Sequence, residues 1–116
     1  MIVVDPLFNA EGLYHGQKAG HARYVGAKNG NLWCHMVSTL PGEDGRRELD
    51  EMAVRIGLKT SWRDRDHYDL TPGKRIAAIR AGAREITKAQ SVEITRWQRF
   101  GAPLPEWAHE MQPKLI

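Results

Sequence analysis

Leu32-Trp33-Cys34-His35-Met36-Val37 is the stretch that decides the fold. Side chains alternate across a strand, so Trp33, His35 and Val37 share one face while Leu32, Cys34 and Met36 share the other. Both faces are mostly apolar, which predicts a central strand covered on its two sides rather than an edge open to water. His35 is the exception on its face. A polar ring in such a place needs a partner or a task.

Working outward, Ser38 to Asp44, with Pro41 and Gly42, reads as a turn, and Asp44 as the N-cap of a helix. Leu49, Met52, Ala53 and Ile56 fall on one helical stripe, and Gly57 supplies the left-handed stop. Ser61 to Leu70 alternates as a strand whose first half carries enough charge to be loop. Thr71-Pro72 opens a second helix, with Thr71 as N-cap and Pro72 at the first helical position. Its packing residues are Ile76, Ala77 and Ile79, and it ends at Gly82. Ala83 to Ile86 reads as a short edge strand. Thr87 and Gln90 form a capping box for a third helix, with Ala89, Val92, Ile94, Trp97 and Phe100 expected to pack. Toward the N-terminus, Ile2-Val3-Val4 is a buried strand that stops at Asp5-Pro6.

Strands alternating with helices predict an α/β fold: a small single domain with a short central sheet and about three helices. Residues 1–100 form that domain, and 101–116 a tail with a short helix around Trp107. Leu7 to Gly30 shows no period. Its stretch from Tyr14 to Lys28 mixes glycine, basic and aromatic residues, a composition suited either to a solvated loop or to a clamp on substrate or nucleic acid.

The 116 residues carry a formal net charge of +3 and a 27% charged fraction. This permits phosphate or nucleic-acid contact without demanding it and argues against wholesale disorder. A single cysteine, Cys34, excludes an intrachain disulfide and any cysteine-rich zinc knuckle. Cys34 and His35 point to opposite faces and so form no dyad; Cys34 is read as core. No stretch is long enough to span a bilayer and no signal peptide is evident, so the expectation is a cytoplasmic protein with no membrane partner.

His67 and Asp69 lie two apart on a strand and point the same way. With His35, and with Asp5 at the end of the first strand, they make a set of two imidazoles and two carboxylates. Such a set can bind a divalent metal that activates water, with His35, His67 and Asp69 as ligands, or it can relay protons as general acid and base. The spacing leaves both open, and each residue also has a purely structural reading. Lys74 and Arg75, at the start of the helix after Asp69, are the candidate phosphate holders. Tyr68 is carried with them as a substrate contact, although packing is its simpler reading.

Val3-Val4-Asp5, Cys34-His35-Met36, His67-Tyr68-Asp69, Lys74-Arg75 and Gly82-Ala83-Arg84-Glu85-Ile86-Thr87 together resemble the pattern of the domain of unknown function family 4031, small proteins of bacteria and phages. The resemblance runs roughly from Ile2 to Gln90. It implies a compact domain in which Asp5, both histidines and the basic pair belong to one shared pattern, and it implies no activity. Two functions follow as expectations. One is a small hydrolytic enzyme acting on a phosphate-bearing substrate, a nucleotide or nucleic acid. The other is a non-catalytic phage or bacterial module that grips nucleic acid, or a host protein through its C-terminal tail.

Overall fold

The β-branched run at the N-terminus and the alternating stretch around His35 pair with each other to start the sheet. The computed structural model describes residues 1–10 and 30–110. Its strands are β1 (Ile2–Val4), β2 (Phe8–Asn9), β3 (Leu32–Ser38), β4 (His67–Leu70) and β5 (Arg84–Glu85). Its helices are α1 (Gly42–Arg55), α2 (Pro72–Arg80), α3 (Lys88–Phe100) and α4 (Glu106–Glu110), with a single 3-10 turn at Thr60–Trp62. The expected α/β domain with a short sheet and three main helices is what forms. No helix among the described residues is long and apolar enough to cross a membrane.

β3 is central, as its two apolar faces require. On one side it pairs antiparallel with β1, Val3 against Val37 and Val4 against Met36. β2 follows along the same side, with Phe8 against Trp33. On the other side β3 pairs antiparallel with β4, His35 against Asp69 and Val37 against His67. β5 runs parallel to β1 on its far side. The β1 register brings Asp5 level with His35, and β2 resumes one residue out of step, so Pro6 and Leu7 together face Cys34. That extra residue is a β-bulge, a device that re-aims side chains beside functional sites. Pro6, with no N–H to give, fits where the ladder breaks.

The sheet has two unlike faces. Ile2, Val4, Cys34, Met36, Tyr68 and Leu70 turn to one side and pack with Leu49, Met52, Ala53 and Ile56 of α1 and its C-cap and with Ala78 of α2. All four residues of the expected α1 stripe are buried. On the other face, Ser91 of α3 reaches Asp5 and Arg99 of α3 reaches Asp66, so α3 lies across that side.

The local signals were accurate at several ends. Thr71 caps α2 by accepting from the Lys74 N–H, Thr87 and Gln90 form the capping box of α3, and Gly57 takes a left-handed φ of 83°. Four expectations need correction. The N-cap of α1 lies three residues before the expected one: Pro41 takes that place, and Asp44 sits in the first turn with Glu43, where negative charge suits the helix dipole. The turn into α1 is also tight enough that a Cβ on Gly45 would lie 2.2 Å from the Leu40 carbonyl oxygen, so only glycine fits. The strand expected from Ser61 starts at His67; the charged half before it is the 3-10 turn and a bridge between Asp64 and His67. In α2 the buried residue is Ala78, with Ala77 and Ile79 packed beside the core and Ile76 exposed. In α3 only Ile94 of the expected packing set is buried, while Val92 and Phe100 face water. The Tyr14 to Lys28 loop lies outside the described residues.

Candidate metal centre

Asp5, His35 and Asp69 form a row across three adjacent strands, on the face opposite the apolar core. His67 stands two residues before Asp69 on β4 and joins the row from the next rung. Nε2 of His35 is 3.8 Å from Oδ1 of Asp69, and Nε2 of His67 is 3.5 Å from the same oxygen. The two imidazole rings meet edge to face with centroids 5.3 Å apart. Phe8, brought here by the bulge, stacks on His35 at 5.1 Å. All four residues expected to converge are therefore at one place. The His35 side chain is 41% exposed and that of Asp5 only 9%, so the ring faces outward from a buried carboxylate.

Asp5 does not face the opening; it holds His35 from behind. Its Oδ1 accepts the His35 backbone N–H at 2.6 Å, and its Oδ2 lies 2.8 Å from His35 Nδ1. The Ser91 hydroxyl also donates to Oδ2, at 2.9 Å. Burial pushes the Asp5 carboxyl up, but the hydrogen bonds from the His35 ring and N–H, the His35 charge and the Ser91 hydroxyl outweigh it. The group is held below the ordinary aspartate value. Asp5 accepts from Nδ1–H of His35, and that turns Nε2 of the same ring toward Asp69.

His67 repeats the arrangement more loosely. Its Nδ1 is 3.4 Å from Oδ1 of Asp66 and its Nε2 turns to Asp69. Burial works against a charge on this ring, yet Asp69 first, then Asp66 and Asp64, outweigh it and raise its pKa above the usual imidazole value. The local field thus favours a cation at His67.

The donor atoms of His35, His67 and Asp69 all lie within 4.8 Å of one another. Ligands on a tetrahedral ion with bonds of about 2.0–2.1 Å would sit roughly 3.4 Å apart. The two distances to Asp69 are close to that value. Two imidazoles and one carboxylate, each imidazole backed by a further carboxylate on its other nitrogen, are a donor set suited to a borderline divalent ion with positions left open.

The other expected site residues, Tyr68, Lys74 and Arg75, each have a partner in the scaffold. Tyr68 is on the opposite face of β4 and donates its hydroxyl to Asp50 at 2.6 Å. Lys74 donates from Nζ to the Ile56 carbonyl at 2.6 Å and so caps the end of α1. Arg75 donates from Nε to the Asp5 carbonyl at 2.9 Å and pairs with Glu85 at 3.1 Å. Both bases are tied to the scaffold, and Arg75 braces the backbone beneath Asp5. Among the described residues, a cavity of about 260 Å³ lies apart from the cluster, between Ser38, Leu40, Arg46, Leu49 and Trp97, with Asp66 on its wall.

Sequence reasoning missed Ser91, Asp66 and Phe8. Asp66, beside His67, had a visible signal in its adjacency. Ser91 had none, being 86 residues from Asp5.

No curated protein and no solved structure matches this chain. The pattern of one family, described as protein of unknown function (DUF4031), matches residues 23–98. That span takes in His35, His67, Asp69, Asp66 and Ser91, reaches further into α3 than expected, and leaves Val3-Val4-Asp5 outside. With most of its length matched, the chain belongs to the DUF4031 family.

Proposed function

We propose that His35, His67 and Asp69 bind one divalent metal ion and that the protein uses it to hydrolyse a phosphate-bearing substrate, a nucleotide or nucleic acid. The observation that carries the reading is the convergence of both Nε2 atoms on Asp69 while Asp5 holds the far nitrogen of His35. A bound divalent ion would lower the pKa of a water and polarise a phosphoryl oxygen. Asp5 fixes the tautomer and tilt of His35, Asp69 supplies negative charge, and Phe8 bars one flank from water. The first turn of α2 starts three residues after Asp69, and a helix start is favourable to a substrate anion. Lys74 and Arg75 have scaffold partners, so their part here is to support α1 and Asp5 rather than to bind phosphate.

Calorimetric titration with Zn²⁺, Mn²⁺ and Mg²⁺ tests the metal, and release of nitrophenol from bis-nitrophenyl phosphate by the loaded protein tests the chemistry. The expected result is one ion per chain, lost in a His67→Ala, Asp69→Ala double variant together with the hydrolysis. Equal binding by wild type and double variant overturns the metal; binding without hydrolysis overturns the enzyme. A second reading, a binding module for nucleic acid or protein, draws on the exposed Val92 and Phe100 of α3. It expects affinity for a partner that survives the double variant, falling steeply with salt if the partner is nucleic acid.

A further inference from the structure

We propose that α3 positions both imidazoles of the metal centre, Ser91 acting through Asp5 on His35 and Arg99 acting through Asp66 on His67. The inference rests on the metal reading above and adds to it the residues that set the ligands.

The stronger line is that of Ser91. The Asp5 carboxylate has two oxygens to be aimed. Oδ1 is held by the His35 N–H, but Oδ2 is shared between His35 Nδ1 at 2.8 Å and the Ser91 hydroxyl at 2.9 Å. The His35 contacts come from the strand that carries the ligand itself. Ser91 brings a fixed point from another layer. A helical serine commonly turns its hydroxyl to the carbonyl one turn back; this one donates to Asp5 instead. Its backbone is well pinned. Its N–H donates to the Thr87 carbonyl at 2.9 Å, its carbonyl accepts from the Thr95 hydroxyl at 3.1 Å, and the Thr87–Gln90 capping box sets where the helix begins. A cap on α3 thereby fixes Ser91, Ser91 fixes Asp5, and Asp5 presents Nε2 of His35 toward Asp69.

The same helix reaches the other imidazole. Arg99 lies eight residues on, two turns along and about 80° round the helix from Ser91. Its guanidinium is 3.7 Å from Oδ1 of Asp66, which is 3.4 Å from His67 Nδ1. This line is longer and more exposed, so its effect is the smaller one. Between the two, Ile94 is the buried residue of α3. Ser91 and Arg99 thus flank that buried residue, and both polar contacts go to carboxylates standing behind the imidazoles.

The test uses the full chain as wild type, Ser91→Ala, Ser91→Thr and Arg99→Ala. Co²⁺ titration reads affinity and the visible absorption of the bound ion. Nitrogen-15 NMR of the metal-free protein reads the His35 tautomer, which a merely structural role of Ser91 would not move. Ser91→Ala is expected to weaken Co²⁺ about tenfold to a hundredfold, alter the absorption band and mix the two His35 tautomers. Ser91→Thr, which keeps the hydroxyl, is expected to restore all three. Arg99→Ala, an exposed change that tests the claim from the other end even if Ser91→Ala does not fold, is expected to weaken Co²⁺ by a smaller factor. Wild-type affinity, spectrum and tautomer in Ser91→Ala, or wild-type affinity in Arg99→Ala when Ser91→Ala is unfolded, would overturn the inference while leaving the metal reading intact. A wild type that takes up no Co²⁺ overturns the reading and this inference with it.

Discussion

The two faces of the sheet are made by alternate residues of the same strands, yet they are built to different rules. Toward α1 and α2 stand Ile2, Val4, Cys34, Met36, Tyr68 and Leu70, all buried, with the Ser38 hydroxyl donating to Glu48 and the Tyr68 hydroxyl donating to Asp50. Toward α3 stand Asp5, His35, His67 and Asp69, wet on one side and bonded to one another on the other. The first face removes apolar area from water, the main favourable contribution to folding. The second collects like-charged carboxylates, which repel unless a cation stands among them. The core face thus carries most of the packing and the other face carries the polar cluster, with Val3 and Trp33 buried beside it, and a change in the core or in the cluster should be felt mainly in one of the two.

The largest effect is expected on the apolar face. Leu49→Ala removes a side chain that is 1% exposed and leaves a hole between α1 and β3. It should cost about 2–5 kcal/mol in urea unfolding, with metal affinity of the folded protein unchanged. A fall in affinity of similar size would mean that the faces are coupled. His67→Ala is the counterpart on the other face. It removes a ring pressed between three carboxylates and should alter unfolding free energy by no more than about 1 kcal/mol, in either direction, because sites trade stability for function. A loss of several kcal/mol would mark His67 as a structural residue and count against the metal centre.

How far this division could be read from sequence depends on the range of the contact. Strand identity, the Thr71 and Thr87 caps and the buried stripe Leu49, Met52, Ala53 and Ile56 rest on neighbours within a turn or two, and these were legible. The alternation around His35 and His67 also showed which residues share a face. The register that sets His35 against Asp69 and brings Asp5 level with His35 was not legible, because it joins segments about thirty residues apart and turns on a bulge at Pro6 and Leu7. The contacts of Lys74 and Arg75 to the Ile56 and Asp5 carbonyls were not legible either, because those acceptors are backbone atoms that every residue has. Val92 and Phe100 fit a helical stripe, but both face water, and of the expected set only Ile94 is buried.

Cys34 sharpens the comparison with a pH test, since it is next to His35 in sequence and on the other face. Burial first, and then the charge of Asp5, push its thiol from 9.0 up to about 12. A thiol whose folded pKa is raised contributes stability that is whole below pH 9 and is lost as pH climbs toward 12. Cys34→Ala should be the less stable protein at neutral pH, from the lost packing, and the gap should narrow steadily above pH 9 in urea midpoints. A constant gap would place the thiol in contact with water.

The smallest effect tests how α3 is held. Phe100 was expected to pack and is instead 78% exposed at the end of the helix. If α3 is fixed by Ile94, Ser91 and Arg99, the aromatic ring adds nothing to that hold, and Phe100→Ser should change the unfolding free energy by no more than about 0.5 kcal/mol. Its effect on metal binding should also be nil, since Gly101 with its left-handed φ of 71° already ends the helix one residue later and Arg99 keeps its reach to Asp66. A larger loss would show the ring covered by another surface. The polar face of the sheet would then owe its order to that cover, and the separation between the two faces would be a property of an assembly rather than of the single chain.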